Sequence, residues 1–227
     1  MEPLQFASFF RFSEQKRTLP VSIQVLGALG GKAPRGDPGP DVATEGMKLE
    51  IGKEKALINW STASLIISIE ELSNQDKSIE LMVSFVGKID RVVPIEQTNA
   101  LRFTIYWILP APNHDFTSLE KIYRSTMINK NEISDLSSDS STIIDIKMNK
   151  WILHHQSGAM TPQQLTQQYL KFRRANIPNP FLFLETSIIN PNVLEYSSRE
   201  IKRFFKASQE NCISHSKLFE KLWEGQL

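Results

Sequence analysis

The chain contains 227 residues, 41% of them hydrophobic and 22% charged, so it can bury one sizeable core or two small ones. Its formal net charge of +1 neither favours nor disfavours a polyanionic partner. Cys212 is the one cysteine, which excludes an internal disulfide and a cysteine-based zinc cage and favours a reducing compartment. The start of the chain has no secretory leader pattern, and no apolar run reaches about 20 residues, so we expect an intracellular protein that is neither secreted nor membrane-spanning.

The first 19 residues contain a dense aromatic segment. Four phenylalanines precede the polar stretch 13–17, namely Phe6, Phe9, Phe10 and Phe12. Such a segment usually docks on its own domain. The alternative is an arm that packs on a neighbouring copy, because terminal apolar segments exchange readily between protomers. These four residues are therefore the candidate self-association site, and 20–227 is the predicted single folded domain.

Residues 20–110 have the pattern of a β-sheet. An apolar run at 20–29 predicts a first strand, and the Gly- and Pro-rich segment 30–46 predicts a mobile loop after it. Further along, apolar and polar residues alternate in three runs, which is typical of an antiparallel sheet or sandwich with one face on a core. The alternating positions are Leu65, Ile67 and Ile69; Ile79, Leu81, Val83 and Phe85; and Leu101, Phe103, Ile105, Trp107 and Leu109.

After Pro110 the pattern becomes helical. Three hydroxyl residues each stand three positions before a side chain that can cap a helix start, in the pairs Thr117 with Glu120, Thr161 with Gln164, and Ser197 with Glu200. A last short helix is expected around Leu218, Leu222 and Trp223, whereas 143–156 fits either a helix or a strand. The predicted fold class is α+β, with an antiparallel sheet or sandwich in the N-terminal half packed against C-terminal helices over 115–227.

Residues that could carry catalysis or hold a metal are few. His154 and His155 are adjacent, so their side chains diverge on either a helix or a strand, and one packed and one solvated histidine is the favoured interpretation. His114 lies at a sheet-to-helix junction, where capping and turn formation explain its polar neighbours. Cys212 and His215 fall in a Ser-rich connector between predicted helices, where an incidental thiol is favoured over a nucleophile. The sequence thus predicts no catalytic residue, metal site, cofactor or small-molecule substrate.

Basic residues gather in the C-terminal third, where 9 basic and 6 acidic side chains lie within 151–227. Four of them recur at helical spacing and share one face of a predicted helix, namely Arg199, Lys202, Arg203 and Lys206. Three more end the preceding predicted helix, namely Lys171, Arg173 and Arg174. These seven residues are the candidate site for the phosphates of RNA or of an anionic membrane surface. The alternative is a solvated amphipathic face.

We therefore interpret the chain as a non-enzymatic interaction or assembly protein that binds a protein partner or further copies of itself. The first alternative is a nucleic-acid or anionic-membrane binding protein that acts through 171–206, and the second is an enzyme on an unfamiliar α+β scaffold. Viral matrix, capsid and movement proteins combine assembly with anion binding, but this is an analogy of architecture alone, because the sequence contains no family motif.

Overall fold

The computed structural model describes residues 1–12, 24, 27–28, 47–51, 56–60, 64–69, 75–92, 94–95, 97–127, 141–170, 176–192, 194–195 and 197–224. The strands in these ranges are β1 (Glu2–Phe12), β2 (Met47–Ile51), β3 (Ala56–Trp60), β4 (Ser64–Ile69), β5 (Gln97–Pro110), β6 (Ser141–Met148), β7 (Trp151–Met160), β8 (Phe181–Asn190) and β9 (Leu194–Glu195). The helices are α1 (Gln75–Asp90), α2 (Phe116–Met127), α3 (Pro162–Gln168) and α4 (Ser198–Leu222).

Contacts within the chain divide it into two compact units. The first unit comprises Met1–Gln5, Thr104–Ile188 and Glu210–Leu227, and the second comprises Phe6–Phe103 and Ile189–Gln209. Strands β1 and β5 and helix α4 each contribute residues to both units. The predicted arm at 1–19 and the predicted single domain at 20–227 stay predictions.

In the second unit the strand order is β2-β3-β4-β1-β5, and β9 pairs with the start of β5. Neighbouring strands from β2 to β1 are antiparallel. The four phenylalanines of the predicted self-association site lie in β1, which pairs with β4 of the same chain from Phe6 opposite Ile69 to Arg11 opposite Ser64. The backbone of this segment is therefore bound within its own chain.

Helix α1 replaces one of the predicted strands of the second unit. Ile79 and Phe85 belong to an alternating run in the sequence, yet both are buried on a helix of 16 residues. The prediction of a strand is wrong here because Ile79, Met82, Val86 and Ile89 also recur at helical spacing, and all four are buried. The backbone of Gln24, Gly27 and Ala28 is likewise helical within the predicted strand 20–29. The rest of that strand and the predicted loop 30–46 lie outside the described residues.

In the first unit the strand order is β5-β8-β7-β6. Strand β8 lies between two neighbours and is buried at nine of its ten positions, which explains its continuous apolar start at 181–184. Phe181 and Phe183 belong to a core cluster that also contains Leu4, Ile108, Met160 and Leu165. Mainly helical structure is predicted for 115–227, with 143–156 left open as helix or strand. Strand β8 lies outside that open segment, so the helical prediction is wrong there.

Strands β6 and β7 form an antiparallel hairpin, which resolves the ambiguous segment 143–156. Their register runs from Ser141 opposite Gly158 to Met148 opposite Trp151. The two-residue turn between them contains Asn149 with a φ of 40°, a left-handed conformation that asparagine tolerates better than most residues. Turn chemistry, and not apolar spacing, therefore distinguishes a hairpin from a helix in this segment.

The predicted helix starts are confirmed at two of three positions. Thr161 forms a reciprocal capping box with Gln164 at the start of α3, and the Ser197 hydroxyl accepts a hydrogen bond from the Glu200 amide at the start of α4. Helix α2 is capped by Asp115, two residues before the predicted cap at Thr117, because the Asp115 carboxylate accepts the Ser118 N–H at 2.7 Å.

Helix α4 is continuous over 25 residues, so the predicted connector and separate last helix are wrong. Buried Ser208, Cys212 and Ser216 lie along one side of the helix, where small side chains allow close packing. The Ser216 hydroxyl donates to the carbonyl of Ile213 at 2.9 Å, which satisfies it inside the helix. The serines that the sequence analysis places in a connector therefore belong to a packed face of α4.

The fold class is α+β, as predicted, with an antiparallel sheet that packs against the C-terminal helix. In the second unit Phe205 of α4 packs on Phe103 of β5 with ring centroids 5.6 Å apart. In the first unit Phe219 of α4 packs on His155 of β7 at 5.5 Å. Among the described helices, none combines the length and the apolar character that crossing a membrane requires.

Candidate protein-binding groove

An open apolar groove lies in the first unit, between strand β6 and the C-terminal half of helix α4. Its volume is about 240 Å³, and its lining comprises Met127, Ile144, Ile146, His155, His215, Leu218, Phe219 and Leu222. We call this feature the apolar groove. Strand alternation places Ile144 and Ile146 on one face of β6, and the i, i+4 spacing of Leu218 and Leu222 places these two side chains on one face of α4.

The rim of the apolar groove is exposed to solvent. Exposed fractions are 42% for Ile144, 44% for Ile146, 65% for Leu218 and 45% for Leu222. Ile143, on the opposite face of the same strand, is 60% exposed. Single exposed apolar side chains are normal on protein surfaces, but a contiguous group of them is a candidate interaction site.

Two histidines form the polar part of the groove floor. The Nδ1 atom of His155 lies 2.8 Å from Nε2 of His215, and its Nε2 atom lies 2.7 Å from the hydroxyl of Ser157. The Tyr123 hydroxyl lies 2.9 Å from the same serine hydroxyl and donates to the Ser157 carbonyl at 2.7 Å. One set of hydrogen-bond directions satisfies all four side chains. His215 donates to His155, His155 donates to the Ser157 hydroxyl, and the Ser157 hydroxyl donates to the Tyr123 hydroxyl.

This arrangement requires neutral imidazoles, and the surroundings favour them. Burial lowers the pKa of His155 to about 4, and the neighbouring His215 and His154 act in the same direction. Burial also lowers the pKa of His215. Both rings are thus neutral near pH 7, and the floor of the apolar groove carries no charge from these histidines.

The polar chain beneath the groove is shielded from solvent. Ser157 and Tyr123 are fully buried, so a molecule in the apolar groove does not reach the serine hydroxyl that contacts His155. The Tyr123 ring stacks on Trp223 with centroids 5.7 Å apart and an interplanar angle of 12°. Within the described part of the chain, no group of three or more His, Cys, Asp or Glu side chains is placed to hold a metal ion.

The other residues considered from sequence lie in structural environments. His154 contacts Asp145 through Nδ1 at 2.7 Å and is partly exposed, whereas His155 is buried, so the two adjacent side chains diverge as expected for a strand. The buried Cys212 thiol donates to the carbonyl of Thr186 at 3.6 Å, and burial raises its pKa to about 12. His114 donates its backbone N–H to Ala111 in the turn between β5 and α2.

The predicted anion site is described only in its α4 part, within the second unit. Arg199, Arg203 and Lys206 are exposed, and Nζ of Lys202 lies 3.6 Å from a carboxylate oxygen of Glu80. The opposite side of the helix is buried through Ile201, Phe204 and Phe205. Lys171, Arg173 and Arg174 lie outside the described residues.

Sequence reasoning missed the apolar groove. The isoleucines of β6 stand in the segment that fits either a helix or a strand, and Leu218 and Leu222 are expected only as part of a last short helix. The available signal was the apolar content of both segments, since 143–146 and 218–222 each contain large aliphatic residues. Whether such residues are covered depends on neighbours distant in sequence.

No protein-family model matches the chain, and no curated protein is significantly similar to it.

Proposed function

We propose that this chain is a non-enzymatic assembly protein that associates with further copies of itself through the apolar groove. The observation that carries the proposal is the exposure of Ile144, Ile146, Leu218 and Leu222 around one groove. The groove adjoins β6, the last strand in the order of the first unit, so the same surface on two copies can meet across a two-fold axis. A protein surface, and not a polar substrate, complements a lining of this composition.

The affinity of such an interface follows from the buried side chains. Full burial of a leucine or isoleucine side chain contributes about 1.5–3 kcal/mol, and the four rim side chains are about half exposed, so each contributes about 1 kcal/mol. Two copies together bury eight of them, worth about 8 kcal/mol, against an association cost of about 4–15 kcal/mol. The apolar groove alone therefore supports weak association, and additional contacts are needed for a stable dimer.

Sedimentation equilibrium over a concentration series tests this proposal. The wild-type chain should gain mass with concentration, and the double variant Leu218→Gln with Leu222→Gln should weaken association at least about ten-fold, because it removes apolar contacts on both copies. The matched control is Lys217→Gln with Lys221→Gln, two exposed positions with the same spacing on the same helix. A monomeric wild-type chain, or equal association of both double variants, would overturn the proposal.

A second candidate function is the binding of RNA or an anionic membrane surface by α4. The observation that favours it is the exposure of Arg199, Arg203 and Lys206 on one helix face. Binding to single-stranded RNA or to vesicles that contain phosphatidylserine should weaken with salt and fall in the variant Arg203→Glu with Lys206→Glu. The control reverses Lys217 and Lys221 on the same helix. Equal binding by the two charge-reversed proteins would contradict this candidate.

Viral matrix, capsid and movement proteins combine self-assembly with anion binding. By analogy, we include this class of protein in the proposal.

A further inference from the structure

We infer that the second copy pairs edge to edge with strand β6, forming an antiparallel β6–β6 ladder centred on Ile146. This inference rests on the proposed self-association and specifies its interface. It supplies the contact that the apolar groove alone lacks, because backbone hydrogen bonds add affinity to apolar burial when a strand is added to a sheet.

Strand β6 has one edge available among the described strands. It ends the strand order of the first unit and pairs with β7 at all eight of its positions. In an antiparallel ladder the backbone N–H and C=O groups point alternately to either side, so every second residue of β6 directs them away from β7. Such an edge is a template for another strand unless it is short, bulged or blocked.

The residues of β6 do little to block this edge. The strand contains Ile143, Ile144 and Ile146, all exposed, and no proline. Its two charges are Asp145 and Lys147, which are also exposed and have opposite signs. Charges on an edge strand usually oppose pairing with a second copy. Here their spacing decides which register is opposed and which is favoured.

Symmetry limits the registers that two copies can adopt. A two-fold axis perpendicular to the sheet leaves each side chain of β6 on the same face of the sheet in both copies. Residues directly opposite each other in the ladder must therefore come from the same face, which requires the axis to pass beside one residue and not between two. A ladder centred on Asp145 or on Lys147 places like charges directly opposite each other, which is unfavourable. A ladder centred on Ile146 places Asp145 of each copy opposite Lys147 of the other, giving two cross-strand ion pairs.

The same register also joins the apolar faces. Ile146 meets Ile146 of the second copy, and Ile144 meets Met148 of the second copy, on the face that lines the apolar groove. Asp145 keeps its contact with His154 through Oδ1 and is 63% exposed, so its other carboxylate oxygen remains accessible to a lysine across the ladder. Charge pairing on one face and isoleucine contact on the other thus favour one arrangement.

Charge exchange between β6 strands tests this register. Asp145→Lys alone and Lys147→Asp alone each place like charges opposite each other and should weaken association about ten-fold by sedimentation equilibrium. An equimolar mixture of the two variants should restore association as a heterodimer, because its lysines face its aspartates. The variant that carries both changes should also associate like the wild type. Failure of the mixture to restore association would overturn the register.

These results separate the register from the proposed function. A wild-type dimer that depends on Leu218 and Leu222 but not on Asp145 and Lys147 would support association through the apolar groove and refute the inferred β6 register. A wild-type monomer would refute both.

Disulfide trapping gives a second, independent measurement. In the inferred register the two Ile146 positions are directly opposite, with Cα atoms about 4.5–5.5 Å apart, so an Ile146→Cys variant should form a disulfide-linked dimer under mild oxidation. The matched Ile144→Cys variant places its two thiols roughly 14 Å apart along the ladder and should stay monomeric on a non-reducing gel. The native Cys212 is buried and does not compete. Absence of the first disulfide, or equal crosslinking of both variants, would overturn the inference.

Discussion

The buried imidazole of His155 should make the stability of the protein depend on pH. Its pKa falls from an ordinary value of 6.5 to about 4, chiefly because burial penalises the charged ring. A proton therefore binds more tightly to the unfolded chain than to the folded one. The stabilisation is present above pH 6.5 and is lost as the pH falls towards 4. From this group alone, we expect the free energy of unfolding to decrease by about 2 kcal/mol between about pH 7.5 and about pH 4.5.

Urea unfolding, followed by far-UV circular dichroism at these two pH values, measures the effect. The variant His155→Gln should be less stable at neutral pH, because it disturbs the contacts with His215 and Ser157, but it should lose less stability on acidification than the wild type. The expected difference between the two losses is about 2 kcal/mol. His114→Gln is the matched control, since His114 lies in a turn outside this hydrogen-bonded chain, and it should follow the wild type.

Other groups also titrate in this range, so the comparison uses the difference between proteins and not the total loss. His215 is one of these groups, because burial lowers its pKa from the ordinary value of 6.5 as well. Asp115 contributes only below this range, because hydrogen bonds from Ser118 lower its pKa from the ordinary value of 3.8. If wild type and His155→Gln lose the same free energy of unfolding, the assignment of a neutral, buried His155 is wrong.

Three further predictions concern local structure. Thr161→Ala removes the capping box with Gln164 and should lower the free energy of unfolding by about 1 kcal/mol in urea titrations, and an unchanged midpoint would contradict that role. Cys212 should not react with a thiol reagent in the native protein and should react fully in denaturant, because it is buried and its pKa is raised to about 12. Rapid labelling of the native protein would show that the thiol is accessible. Phe183→Ala should lower the free energy of unfolding by about 3–5 kcal/mol, since Phe183 is fully buried with its ring centroid 4.4 Å from that of Tyr169, and a loss below about 1 kcal/mol would contradict tight packing there.

Structural features that depend on residues close together in the sequence could be predicted from the sequence. The capping box at Thr161 and the cap at Ser197 form within one helical turn, so their residue types and spacing are sufficient. The long strand β5 was also predictable, because its apolar side alternates over 101–109 and a two-residue period of that length has no helical counterpart. The exposed positions of Arg199, Arg203 and Lys206 follow in the same way from helical spacing.

Helix α1 and helix α4 show where local patterns were insufficient. Ile79 and Phe85 fit both periods, and the choice between them depends on which face the rest of the second unit covers. In α4, Ser208 and Ser216 lie inside one continuous helix although serine has a low helix propensity. Serine costs only a few tenths of a kcal/mol per residue relative to alanine in a helix, and the burial of these two side chains outweighs that cost. Tertiary contacts thus decided both elements.

The α+β class follows from the order of strand-like and helical patterns along the chain, and the helix starts at Thr161 and Ser197 follow from residues a few positions apart. The contact of His155 with His215 across 60 residues, and the open groove among Ile144, Ile146, Leu218 and Leu222, depend on tertiary packing. Periodicity shows which side chains share a face, but burial depends on whether another element covers that face. Since that element is distant in sequence, the candidate site became visible only in the folded chain.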